Sequence, residues 1–78
     1  MKTNVHYIVI YSYSNGLLTS TKTFSSREDA KAWEETYVTE FPDTRKWFYT
    51  DRITTKRVFF FWEKPIKWET IRKWFEEE

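Results

Sequence analysis

Arg52 and Arg57 interleave with Phe48, Phe59 and Phe61 along a stretch that reads as extended chain. Guanidinium groups beside exposed rings can do two kinds of chemistry. They can neutralise phosphates while bases stack on the rings, or meet the carboxylates of an acidic protein groove while the rings exclude water. Carriers of bond-making chemistry are scarce by comparison. His6 is the only histidine and there is no cysteine, so a His- or Cys-based metal site lacks ligands. A Ser-His-Asp relay would rest on His6 alone, and the Gly-x-Ser-x-Gly turn is missing. A lone histidine on a strand near a chain end is ordinarily solvated or satisfied. Phosphate-cradling loops need several glycines, and Gly16 is the only one. Asp and Glu fall mainly on the solvent faces of expected helices. No enzymatic activity, cofactor or metal is therefore expected.

Strands must position the rings. Residues 5–13 are rich in β-branched and aromatic side chains and read as a strand. Asn15-Gly16 supplies the positive φ values of a type I′ turn, and residues 17–24 return as a threonine-rich partner. Ser25 with Glu28 forms a capping-box pattern, and Asp29 sits near the positive end of the helix dipole. Ala30, Trp33, Tyr37 and Phe41 then make one helical stripe, with Lys31, Glu34 and Glu35 off it. Phe41-Pro42 ends the helix, because proline disfavours helical geometry at the residue before it. Residues 47–50 and 57–62 read as strands, with a turn expected within 51–56. Lys64-Pro65 opens a second predicted helix, with Trp68, Ile71 and Phe75 as its apolar stripe. The predicted fold is α+β, a single domain over residues 1–78. It is a four-stranded antiparallel sheet in the order ββαββα with two helices packed on one face.

That arrangement leaves one sheet face open. Strand parity places Val58, Phe60 and Trp62 inward with Trp47, Tyr49 and Ile53. Arg57, Phe59, Phe61, Phe48 and Arg52 then point outward. In the first hairpin, Tyr7 and Tyr11 alternate with Ile8 and Ile10. The tyrosines are the better outward set because a phenol keeps its hydroxyl wet. The expected binding residues are thus Tyr7, Tyr11, Phe48, Arg52, Arg57, Phe59 and Phe61, with Thr19 and Thr21 around them. The competing arrangements are a solvated sheet with scattered rings, or one helix crossing to cover the face.

Composition bounds the partners. Seventeen of 78 residues are aromatic, more than one small core can hide, and large exposed apolar area usually marks a contact surface. The net charge of +1 argues against a strong nonspecific nucleic-acid binder. Residues 43–73 nevertheless carry a net +5, against −1 for residues 1–42 and −3 for the terminal glutamates. No apolar run approaches the roughly 20 residues that span a membrane. The N-terminus lacks a signal-peptide layout, so a cytoplasmic location without membrane association is expected. A protein partner is the first expectation. A single-stranded RNA or DNA ligand is the second, although residues 57–62 lack the glycines of the RNA-recognition motif. Self-association through the same face into a homodimer is the third.

In size, glycine poverty, aromatic load and α+β plan, the chain resembles small proteins encoded by phages and other mobile elements. Anti-CRISPR proteins and host-takeover inhibitors are examples. The resemblance covers the whole chain, rests on no motif and carries over no functional residue. It implies a one-domain inhibitor that binds a host enzyme or complex in the host cytoplasm and does no chemistry itself. The basic second half departs from the acidic DNA mimics of that class.

Overall fold

The computed structural model describes residues 3–13, 18–59 and 62–77. Strand β1 (Thr3–Tyr13) pairs antiparallel with β2 (Leu18–Phe24), as the β-branched and aromatic composition dictates. The expected Asn15-Gly16 turn lies outside the described residues. Helix α1 (Arg27–Glu40) crosses over, and a 3-10 segment (Pro42–Trp47) leads into β3 (Tyr49–Phe59) on the other side of β1. Strand β4 (Trp62–Lys73) adds outside β3, and a short 3-10 turn (Trp74–Glu76) follows. The sheet order is β2-β1-β3-β4, every neighbouring pair antiparallel. The α+β class and four-stranded sheet are those expected, but the element order and the second helix are not. No described helix is long and apolar enough to cross a membrane.

Three corrections concern local structure. Residues 62–73 form a strand, which replaces the helix predicted to open at Lys64-Pro65. Trp68 and Thr70 sit two apart on one face, and both bond Asp51 of β3. Helix propensity is a weak prior, and a short helix needs tertiary packing that no second layer supplies here. Pro65 suited a helix start equally well to an edge strand, where a missing N–H costs no ladder bond on the solvent side. Residues 51–56 hold no turn, and β3 runs straight through them with β-branched Ile53, Thr54 and Thr55. The helix cap is Ser26, one residue later than expected, and its Oγ accepts from the Asp29 backbone N–H at 3.1 Å.

The core lies between the sheet and α1. Val9, Ala30, Val38, Phe48 and Trp74 are buried, and Tyr7, Tyr11, Phe24, Trp33 and Tyr37 pack against them. The Tyr11 ring lies 5.0 Å from Trp33 and 4.9 Å from Tyr37, and Trp33 stacks on Tyr37 at 5.0 Å. The expected outward set is therefore reversed. Tyr7 and Tyr11 face α1, and Phe48 is completely buried. The buried residues of α1 are Ala30, Glu34 and Val38, and its Trp33 and Tyr37 rings interleave with Tyr7, Tyr11 and Phe24 from the sheet and with Phe48. The tyrosines remain half-buried at the rim. Ile8 and Ile10 take the opposite face. Tyr49 and Ile53 do so as well, because antiparallel partners share a face and they sit across from Ile10 and His6.

Glu34, assigned to the solvent side by the helical stripe, is completely buried. Its carboxylate accepts from Thr50 Oγ1 and from Arg27 at 2.9 Å, and it lies 3.7 Å from Arg72. Arg72 in turn stacks on the Trp74 ring at 3.7 Å and bonds Glu77 at 2.9 Å. This network ties α1 to β3 and to the end of β4. A buried carboxylate demands such partners, because unpaired it would cost several kcal/mol.

Candidate binding surface

Strand β1 accompanies β3 only as far as the Thr3↔Lys56 pair among the described residues. Past that point β3 and β4 continue as a two-stranded arm, through Arg57↔Glu63 to Phe59↔Trp62. The fold is elongated accordingly, 41 × 24 × 18 Å. A two-stranded ribbon has no third layer in which to bury its side chains. Phe59 and Trp62 are 59% and 57% exposed, and Val58 and Ile66 are also open to solvent. The Phe59 and Trp62 rings stack across the strands at 6.2 Å with planes only 10° apart. This offset arrangement is favourable for aromatic pairs and holds both rings in one orientation.

Trp68 lies behind the arm on β4, opposite Ile53 where β1 still flanks β3, on the face away from α1. It is 59% exposed, yet its Nε1–H donates to Asp51 Oδ2 at 2.6 Å. Thr70 Oγ1 donates to the other oxygen, Oδ1, at 2.7 Å. Asp51 is itself buried, so its carboxylate needs both donors. The result is an indole fixed by its polar edge with its apolar face in water. Such a ring has already lost the rotamer freedom that binding would otherwise cost.

The charge along the arm is basic and locally frustrated. Lys56 and Lys64 are cross-strand partners, and like charges directly opposite one another are destabilising. Arg57 on the arm and Lys67 behind it, opposite Thr54, add two further cations. Glu63 on the arm and Glu69 behind it on β4 are both engaged within the fold. Glu63 accepts from Asn4 at 2.6 Å and from Thr55 at 2.9 Å, and these hydrogen bonds hold its carboxyl below the usual range, the Asn4 bond most strongly. Glu69 is held low in the same direction by the hydrogen bond from Arg52, whose Nε donates at 2.8 Å. The same pair raises the Arg52 guanidinium above its ordinary value, the Glu69 hydrogen bond leading. His6 Nε2 lies 4.0 Å from Glu63 and belongs to this anchoring cluster. Among the described residues, no group of three or more His, Asp or Glu side chains could hold a metal ion.

The expected site residues are thus divided. Arg57 and Phe59 are exposed on the arm, and Arg52 is half-buried in its bridge to Glu69 on the α1 side of the sheet. Tyr7, Tyr11 and Phe48 belong to the core, and Phe61 lies outside the described residues. Thr19 and Thr21 are exposed on β2, at the opposite edge of the sheet. Trp62, Lys64, Ile66, Lys67 and Trp68 were missed as surface because the helical reading of 64–75 claimed most of them. The alternation of apolar and charged residues over 62–69 was the available signal, and Pro65 masked it. No protein-family model, curated protein or solved structure matches the chain.

Proposed function

We propose that this chain is a small non-catalytic binding protein that docks its β3–β4 arm on an acidic surface of a protein partner. The likeness to phage-type inhibitors makes blocking a host enzyme or complex in the cytoplasm the role it would serve. The observation that carries the reading is the pairing of exposed, fixed rings with opposed lysines on one ribbon. Phe59 and Trp62, which share the face of Lys56 and Lys64, leave on the order of 200 Å² of ring surface in water, taking about 150–250 Å² per ring. Covering that area is worth roughly 5 kcal/mol before association costs. An anionic partner between Lys56 and Lys64 would also relieve their mutual repulsion. Aromatic and cationic anchors of this kind dominate interface energetics.

The test is affinity capture with the intact protein against Phe59→Ala/Trp62→Ala. The expected result is loss of the captured partner with a urea midpoint close to the parent's. Retention of the partner by the double variant overturns the assignment of the arm. A second reading, a single-stranded RNA or DNA ligand, is favoured by the basic side chains flanking the stacked pair, Arg57 and Lys64. It requires affinity for an unstructured oligonucleotide that falls linearly on a log-log plot against salt. Absence of binding at low salt removes it.

A further inference from the structure

The two edges of the sheet are built differently. Strand β4 is guarded: it carries Pro65, three register shifts against β3, and charges at Glu63, Lys64, Lys67, Glu69, Arg72 and Lys73. These are the devices by which edge strands avoid further pairing. Strand β2 has none of the first two. It contains no proline, and its pairing with β1 runs without a register shift from Tyr7↔Phe24 to Tyr13↔Leu18. Its one charge, Lys22, is drawn over the Trp33 ring at 5.2 Å and the Phe24 ring at 6.0 Å. The outer side of this strand therefore presents seven residues of regular backbone with no hydrogen-bonding strand beyond it among the described residues.

The sequence of β2 is complementary to its own reverse. Placed antiparallel to a second copy about a two-fold axis at Thr21, the strand pairs Thr21 with Thr21, and Thr19 with Thr23 of the other copy. These threonines lie on the open face, opposite Ser12, Ile10 and Ile8 of β1. On the α1 side, Leu18 meets Phe24, and Lys22 meets Ser20. No like charges oppose one another, and Leu18, about half exposed, gains an aromatic neighbour that already borders the core. Threonine pairs are among the favourable cross-strand combinations. A two-fold axis normal to the sheet keeps both copies of α1 on one face and leaves both β3–β4 arms at the outer ends. The interface is isologous and closes at two copies, because each β2 edge is used once and each β4 edge resists addition.

We infer that β2 is a self-association edge, joining two copies of this chain through Leu18–Phe24 into one eight-stranded antiparallel sheet with Thr21 on the two-fold axis. The occupant is a second copy, because the register that satisfies backbone, charge and side-chain size together is the strand's own reverse. The edge lies across the sheet from the arm, so the inference stands apart from the proposed partner surface.

Analytical ultracentrifugation of the full chain over a wide concentration range tests it. The parent should show a dimer of the 9.7 kDa chain with a concentration-dependent monomer fraction. Thr21→Lys and Thr21→Glu each place like charges against themselves across the axis, and Thr21 is exposed in the single copy, so each variant should stay folded by circular dichroism. Each alone should dimerise at least about tenfold more weakly than the parent. An equimolar mixture should regain dimer as the Lys–Glu heterodimer, a gain that an unfolded chain would not give. Phe59→Ala/Trp62→Ala should dimerise as the parent does. A parent that is monomeric throughout, a Thr21 variant that dimerises as well as the parent, a mixture that stays monomeric, or a dimer lost with the arm rings overturns the inference.

Discussion

Phe48 and Phe59 are chemically identical and sit eleven positions apart, yet truncation to alanine should affect them very differently. The structure makes Phe48 a hub: it is 0% exposed, with Tyr11 at 6.0 Å, Tyr37 at 5.9 Å, Trp33 at 6.1 Å and Trp74 edge-on at 6.1 Å. Its backbone carbonyl also receives the Trp74 N–H at 2.9 Å, so the ring and the chain around it lock the end of β4 to the core. Removing a buried phenylalanine costs about 3–5 kcal/mol through lost transfer energy and the residual cavity. A chain of 78 residues has a total stability of roughly 4–12 kcal/mol. Phe48→Ala should therefore consume a large share of the total and leave a substantially unfolded population at modest urea. Phe59 is 59% exposed and has one described ring neighbour, Trp62, so Phe59→Ala forfeits at most the stacking term of about 0.5–1.5 kcal/mol and a little area. Urea melts of both variants, followed by circular dichroism, read the two losses on one scale with the slope checked for constancy. Equal midpoint shifts would refute the placement of one ring in the core and the other on a projecting ribbon. The surface proposed for partner binding would then lose its basis.

Two further predictions follow from the polar network. Glu34→Ala strands Arg27 and Arg72 around a buried hole and should cost about 3–5 kcal/mol, whereas Glu34→Gln keeps the volume and the Thr50 contact and should cost about 1–3 kcal/mol; urea midpoints in the reverse order would contradict a buried charge network. Glu63 and Glu69 are both held below the ordinary glutamate value of 4.5 in the folded chain, so their stabilising contributions are fully present above that pH and are lost as pH falls through their folded values. Amide exchange of β3 and β4 residues in the arm should stay flat from neutral pH down to about 5, once corrected for intrinsic rates, and protection should drop below 4.5; protection that instead rises on acidification would refute the anchoring role.

Several features were legible in the residues because they rest on local chemistry. The β-branched run of β1, the threonine run of β2 and the serine cap region before Ala30 each act through a handful of neighbours, so the chain announces them directly. The surplus of aromatic residues was legible too, because a core volume scales with length and this one is small. What the alternation left open was its phase. Tyr7/Tyr11 and Ile8/Ile10 fit a strand equally well with either set inward, and a one-residue change of face moves every side chain at once. Packing settled the phase: Trp33 and Tyr37 of α1 and the buried Phe48 gather the Tyr11 ring, and with it the odd-numbered face of β1, beneath the helix.

Residues 62–73 show the same division more sharply. Their composition suits a capped amphipathic helix, and no local rule forbids it. The long ladder from Tyr49↔Lys73 to Phe59↔Trp62, together with the bonds from Trp68 and Thr70 to Asp51, exists only once β3 lies alongside. Long-range pairing therefore overrides local propensity: it moves Ile66 and Trp68 from an expected helix, and Trp62 from the inward face of an expected strand, to exposed positions on β4. By itself the sequence determined that bulky rings would outnumber the places to hide them and that basic side chains would lie among them. The tertiary structure decided which rings those are, because burial is set by what stands on the other side of each side chain, and that neighbour is distant along the chain.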